Sequence, residues 1–305
     1  MNVSRLPASK ETVAKLACAF AGVAWGVFWL PLRAMDDAGI TGAWATVMIY
    51  VIPLLCALPL VLWRRRAIAD GGWLMQMIGI VAGIGLVLYA DALIYTQVIK
   101  AMLLFYLTPL WSALLARAVL GEAITPVRWI AMALGLAGML VIFGAEAGIP
   151  VPRTAGDWMG LGSGLCWAIA AVLLRIDGRE EAAFDNMLVY LFWGTLAAVA
   201  VAIMPLSGAH ALPDPARIVD VLPWLIPVLL IIILPATFAI MWGAPLLNPA
   251  VVGLLFMTEI SIGAATAAVW AGEPFGMREI VGIALISAAG LAESIYELIV
   301  KRRPE

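Results

Sequence analysis

The chain has 305 residues, of which 64% are hydrophobic and 12% charged, with a mean hydropathy of +1.04 and a formal net charge of −2. A soluble domain carries about 25% charged residues and could not hide this much apolar surface. The composition therefore excludes a soluble fold and points to an integral membrane protein. Cys18, Cys56 and Cys166 each sit inside an apolar segment without CxxC spacing, so neither a disulfide framework nor a metal centre is supported.

A membrane span needs roughly 20 apolar residues. Ten segments qualify, at roughly 13–33, 42–63, 73–97, 100–120, 127–145, 156–176, 185–206, 218–241, 247–271 and 277–299. Lys10, Glu11 and Lys15 give the first a polar flank, and nine spans follow it, so it reads as a retained span rather than a cleaved signal. With the N-terminus inside, thirteen Lys and Arg, among them Arg64, Arg65, Arg66, Arg175 and Lys301, fall on the cytoplasmic side and five outside. This bias predicts that both termini are cytoplasmic, and the chain is read as a multi-pass protein of the plasma (inner) membrane. Trp44, Trp63, Trp73, Trp129, Trp158, Trp224 and Trp270 fall near span ends, where an aromatic belt belongs.

Polar and aromatic residues inside the spans are the candidates for function, taken in chain order. Trp25 lies well inside the first span, away from the belt, where an indole offers an apolar face and one N–H donor. Tyr89 on the third span shares a helix face with Ala92 and Thr96. Asp91 and Lys100, nearer the outer end, are expected to pair with each other or to reach headgroups. On the fourth span Tyr106 precedes Pro109, which removes a backbone donor, breaks the helix and leaves the Phe105 carbonyl without its usual partner. Glu122, after Gly121 in the turn GEAITP, reads as a helix-entry or gate residue. Ala131, Ala133, Gly135, Ala137 and Gly138 in the fifth span allow close helix approach. Trp167 repeats the placement of Trp25 in the sixth span, His210 sits in a loop, and Trp242 lies near the end of the eighth span. Glu259, near the middle of the ninth, is the sharpest polar anomaly. A charge there costs at least roughly 2.5–3.5 kcal/mol on insertion scales, so it should face protein or water. For Trp25 and Trp167 the plainer reading is helix packing, for Tyr89 and Tyr106 a structural hydrogen bond between helices, and for Glu259 a protonated carboxyl bonded to a neighbouring helix.

The two halves echo each other. At a constant offset of 151 residues Leu104, Phe105, Ala113, Ala116, Gly121, Glu122, Ala133, Ala137 and Leu140 recur as identical residues, so that Gly121–Glu122 returns as Gly272–Glu273. At an offset of 142, Gly22, Trp25 and Arg33 recur as Gly164, Trp167 and Arg175. A repeat of this length signals internal duplication. Five spans per half force the halves to face opposite ways, with the substrate site near the midplane between them. The expected fold is all-α: ten transmembrane helices arranged as two inverted five-helix repeats, over 1–148 and 149–305.

The Gly-Glu turn, the small-residue helix after it and the echo of both resemble the drug/metabolite transporter superfamily, EamA type, over essentially the whole chain. Within it, AWGVFW around Trp25, LYADAL around Tyr89, and YLTPLW around Tyr106 and Pro109 look like the YddG-type amino-acid exporters. Many EamA-type proteins carry Glu-Pro in the ninth span, where this chain has Glu259-Ile260. The resemblance implies a secondary transporter that exports amino acids, aromatic and other small ones, by alternating access. Its substrate would bind at Trp25, Tyr89, Tyr106, Trp167, Trp242 and Glu259, with Pro109 as the helix break. Other solutes, such as a nucleoside, a sugar or a cationic drug, remain alternatives, as does an intramembrane enzyme, although no paired catalytic groups are evident. Expected partners are a small-molecule substrate and the lipid bilayer, with no nucleic acid, no metal and no cofactor, and the chain is read as a monomer. Of the carboxylates, only Glu259 lies at a depth suited to proton coupling, and its repeat partner is Thr108. One asymmetric carboxylate is thin support for obligatory coupling, so substrate is expected to move down its own gradient or to exchange without a required ion, with Glu259 tuning the cavity.

Overall fold

The computed structural model describes residues 7–96, 98–143, 152–204, 212–270 and 275–301, and every element among them is helical. His210 and Glu273 lie outside the described residues, as do the side chains of Lys100 and Glu293. The helices are α1 (Ala8–Gly26), α2 (Trp29–Asp37), α3 (Ala43–Asp70), α4 (Gly72–Tyr95), α5 (Val98–Phe105), α6 (Thr108–Leu115), α7 (Pro126–Phe143), α8 (Ala155–Asp177), α9 (Ala183–Ile203), α10 (Pro215–Val228), α11 (Leu234–Gly243), α12 (Pro249–Phe256), α13 (Thr258–Trp270) and α14 (Met277–Lys301).

Eight segments of the described chain are long and apolar enough to cross a bilayer: Ser9–Asp37, Ala43–Asp70, Gly72–Leu93, Ala101–Leu120, Ala155–Asp177, Glu180–Ile203, Pro215–Leu246 and Pro249–Trp270. Each corresponds to one of the ten expected spans. The expected fifth span is the shorter apolar helix Pro126–Ile142, and the tenth coincides with α14. Leu16, Leu62, Val119, Ile203, Ile231 and Val269 are exposed, as side chains facing hydrocarbon would be. Trp63, Trp73, Trp129, Trp158 and Trp270 are exposed as well.

Several spans are two helices in series, and local chemistry explains the joints. α5 gives way to α6 just before Pro109, which takes an early position in α6 where its missing N–H is harmless. The Phe105 carbonyl, expected to be orphaned, accepts a hydrogen bond from Thr108 Oγ1 at 2.5 Å. α12 gives way to α13 in the same manner without a proline: Thr258 Oγ1 donates to the Leu255 carbonyl at 2.8 Å. Proline alone does not decide such a break, because Pro53 and Pro59 sit inside the continuous α3. After α6 the chain widens into one π-helical turn, Ala116–Leu120. Gly121 then closes it at φ +69°, a left-handed conformation that glycine adopts without a Cβ penalty. The Gly-Glu turn of the sequence thus has a backbone reason.

α4 packs along α8 and α9, α3 on α9, α1 on α11, α12 and α13, and α7 along α14. Small residues set these distances. At the α7–α14 crossing a Cβ on Gly138 would stand 2.7 Å from the Gly282 carbonyl oxygen and 2.9 Å from side-chain atoms of Ile286 and Leu285. Overpacking a close crossing costs about 1–3 kcal/mol. Gly138→Leu is therefore expected to lower the thermal midpoint of the detergent-purified protein by several degrees. Gly162→Ala, whose new Cβ meets only Leu88 at 3.8 Å, is expected to leave it unchanged. Equal melting curves for the two variants would contradict this account of the crossing.

Candidate functional site

The two helix breaks carry the site. Phe105 closes α5 and Phe256 closes α12, and these are the same residue of the 151-residue echo. Phe105 lies against Tyr89 of α4 at 4.3 Å between ring centroids, and edge-on to Tyr106 at 5.1 Å. Phe256 lies edge-on to Trp167 of α8 at 5.6 Å. Each break thus brings one phenylalanine against an aromatic residue singled out by the sequence.

Glu259 stands in the first turn of α13, just past the second break. It is only 5% exposed, and its Oε1 accepts a hydrogen bond from the Tyr89 hydroxyl at 3.0 Å. The Tyr106 hydroxyl lies beside the same carboxyl, but makes no hydrogen bond of good geometry. The N-terminal end of a helix carries partial positive charge, which favours a carboxylate there. Trp167 is buried, and its Nε1–H, like the Tyr106 hydroxyl, lacks a partner. Buried donors left unpaired are costly and mark places where water or ligand belongs.

Beside this cluster lies a narrow cleft lined by Trp25, Phe28, Thr46, Ile49, Tyr50, Leu86, Tyr89 and Ala90. Trp25 meets Phe28 edge-on at 4.8 Å. The structure therefore brings together Tyr89, Tyr106 and Glu259 through one carboxyl, joins Trp25 to them through the cleft it shares with Tyr89, and sets Trp167 at the second break. Trp242, half-buried on α11, is not among the residues lining the cleft. Asp91 departs from expectation. It is fully buried, and its Oδ1 accepts from Thr46 Oγ1 at 2.9 Å instead of reaching headgroups. Sequence reasoning also missed Thr46, Tyr50 and Tyr190. The available signal was a hydroxyl in an otherwise apolar span, which was weighed at Tyr89 and Tyr106 but not at these positions. Among the described residues no group of three or more His, Cys, Asp and Glu stands close enough to hold a metal ion.

Charged residues tie one end of the bundle. Glu122 accepts from Arg175 Nε at 3.4 Å and from the Asn248 side-chain amide, while Arg175 also donates to the Pro245 carbonyl at 3.0 Å. Asn248 Oδ1 in turn caps α12 by accepting from the Ala250 N–H. Glu122 so joins the turn before α7 to the end of α8 and the start of α12. Arg64 pairs with Asp185, Lys10 with Glu180, and Arg179 with Asp177.

Residues 13–144 match the sequence profile of the EamA-like transporter family, which supports kinship with that family over the first half of the chain. A comparison with curated proteins found no match. One solved structure, described only as the crystal structure of a protein, superposes with a TM-score of 0.70 at 20% sequence identity, covering 95% of this chain and 99% of that one. At that identity the likeness is one of fold.

The carboxyl–phenol contact has a measurable weight. A buried hydrogen bond to a charged or strongly polar group contributes about 1.5–3 kcal/mol. Tyr89→Phe is expected to lower the thermal midpoint clearly, because Glu259 loses its donor. Tyr106→Phe, which removes a hydroxyl without a partner, is expected to lower it little. In a double-mutant cycle of Tyr89→Phe with Glu259→Gln the losses should be markedly non-additive. Additive losses would show that the two groups do not interact.

Proposed function

We propose that this protein is a secondary transporter that exports amino acids, aromatic ones included, across the inner membrane by alternating access. The EamA-like match suggests a membrane transporter. What supports the finer reading is one observation: the buried cluster offers a carboxyl, Glu259, together with two donors lacking partners, Tyr106 O–H and Trp167 N–H. An α-amino acid needs this complement, an acceptor for its ammonium and donors for its carboxylate. Trp25, Tyr89, Phe105 and Phe256 supply ring surface for an apolar or aromatic side chain. In this reading the substrate-binding residues are Trp25, Tyr89, Tyr106, Trp167 and Glu259, with Trp242 contributing only at the periphery. The break at Pro109 supplies the non-helical backbone that such sites use.

The transporter is further read as two inverted five-helix repeats, 1–148 and 149–305, acting as a monomer with both termini in the cytoplasm. The echo of the α5–α6 break in the α12–α13 break supports the duplication. Under this arrangement the ion pairs around Glu122 lie at the cytoplasmic end, and the cleft beside Tyr89 lies toward the outer half.

Transport into proteoliposomes of a panel of labelled amino acids tests the substrate. Trp25→Ala, Tyr89→Ala and Trp167→Ala should each slow uptake of aromatic substrates about two- to thirteenfold, from the ~0.5–1.5 kcal/mol that one ring contact contributes. Glu259→Gln should retain downhill flux with an altered preference for cationic substrates. Unchanged initial rates in all the alanine variants at matched protein levels would return these residues to packing. A cationic drug transported in place of amino acids would reassign the substrate class.

Labelling tests the topology independently. Cysteines placed near Arg65 and at the C-terminus should react only from the cytoplasm, and ones near His210 and Glu273 only from outside. Glu122 and Glu273 on the same side would rule out the inverted arrangement.

A further inference from the structure

A second buried polar system runs beside the cleft, between α3, α4 and α9. It begins at Asp91, which is fully buried with Thr46 bonded to Oδ1 at 2.9 Å and no partner for Oδ2. Thr46 and Tyr50 stand one turn apart on one face of α3, and both line the cleft. The Tyr50 and Tyr190 hydroxyls share a hydrogen bond of 2.8 Å with both rings buried. The Tyr50 ring fits there because α9 presents Gly194 to it, where a Cβ would stand 2.3 Å from the ring. One turn along α9 from Tyr190, Asn186 is fully buried with neither its amide nitrogen nor its oxygen bonded. An amide so placed calls for buried water. The next residue back, Asp185, pairs with Arg64 at the tied end of the bundle. From Thr46 to Arg64, α3 rises roughly 27 Å at 1.5 Å per residue, close to the thickness of a bilayer's hydrocarbon core.

We propose that Asp91 is a proton-carrying group, and that Tyr50, Tyr190 and Asn186, with buried water, connect it to the end of the bundle that bears Arg64. This rests on the transporter reading above and adds its energy source. Asp91 is fully buried in protein, where a carboxylate without a cation is strongly disfavoured, so Asp91 holds its proton while the surroundings stay dry. Wetting of the cleft at Thr46 lets the O–H bond of the Asp91 carboxyl break, with the proton passing to water. In the other state the carboxylate regains one proton, relayed along the hydroxyls and water of the file as one proton enters from the Arg64 end. The groups that face Asp91 are few. From α3 there are Thr46 and Tyr50, and from α9, Tyr190 beyond Tyr50. On α8, Asp157 is held by Thr96 and by the backbone N–H groups of Arg153 and Thr154. The side chain of Lys100 on α5 lies outside the described residues. No described Lys, Arg or His forms an ion pair with Asp91. Glu259 belongs to the substrate cluster, bonded by Tyr89, which points away from Asp91 by about 200° around α4.

The test uses the full-length protein in proteoliposomes with labelled phenylalanine and an imposed pH difference. Wild type should accumulate the label about tenfold per unit of pH difference at one proton per substrate. Asp91→Asn should hold the ratio at one while exchanging internal for external phenylalanine at the wild-type rate. Tyr190→Phe and Asn186→Leu should slow accumulation but not exchange. Wild-type accumulation in Asp91→Asn, or no accumulation by wild type that exchanges freely, would overturn the proposal. Infrared titration in detergent, without substrate, separates this from failure of the transport reading. A protonated-carboxyl band that disappears reversibly in alkaline buffer and is missing from Asp91→Asn sustains the proton site even if phenylalanine does not move. The same band in Asp91→Asn, with Glu259→Gln in both proteins to remove the other buried carboxyl, removes the proton site even if phenylalanine does move. Asp91→Glu, which keeps the carboxyl, should restore band and accumulation, so that misfolding of the Asn variant cannot mimic the result.

Discussion

In hydrocarbon a helix cannot stop unless something accepts or supplies the hydrogen bonds it abandons. That constraint governs the two joints on which this molecule is built. At Phe105 the freed carbonyl is taken by the Thr108 hydroxyl, which also reaches the Gly164 carbonyl at 3.2 Å. At Leu255 the Thr258 hydroxyl does the same work. Both joints are buried in protein, where water need not be present to satisfy them. With the joints in place, Tyr106 and Glu259 follow at the bends, and a carboxyl can sit deep in the bundle at the positive end of a short helix. Without them, the ninth span would be a continuous helix, and Glu259 would have no helix N-terminus to stabilise it.

The glycines make the burial possible. A Cβ on Gly164 would stand 2.6 Å from the Phe105 carbonyl oxygen, and one on Gly22 2.2 Å from Thr258 Oγ1. α8 and α1 therefore press backbone against the joints themselves. Gly22 and Gly164 are partners in the 142-residue echo, so each half lends the same residue type to seal a break in a neighbouring helix. Trp25 and Trp167, each three residues farther on, meet Phe28 and Phe256 edge-on.

Much of this was legible in the sequence, because hydropathy and an exact spacing are properties of the chain itself. The spans follow from apolar length, and the break at Pro109 follows from a missing N–H. The second break has no proline, and only its place in the echo of Phe105 could have indicated it. Asp91 was misjudged for a different reason. Position along a span gives depth but not the facing partner, and Thr46 lies 45 residues away on another helix. The contact between Tyr50 and Tyr190, separated by 140 residues, is likewise a product of packing. Patterns within one helix can be read from one chain; pairings between helices require the fold.

The ties at the charged end have a magnitude suited to a moving part. Arg175 and Glu122 are about a fifth to a quarter exposed and 3.4 Å apart, and Lys10 and Glu180 are about a third exposed. Pairs that remain in contact with water contribute on the order of 0–1 kcal/mol each. A handful of them sums to a few kcal/mol, the scale on which two conformations of one protein exchange. Had these contacts been fully buried, breaking one would strand a charge at a cost of about 3–5 kcal/mol, and this end of the bundle would be locked. In the proposed cycle the part-exposed pairs Arg175–Glu122 and Lys10–Glu180 can open while the glycine-sealed joints stay rigid. On that proposal the bundle would rock about its buried breaks, with the carboxyl at the second break facing each side in turn.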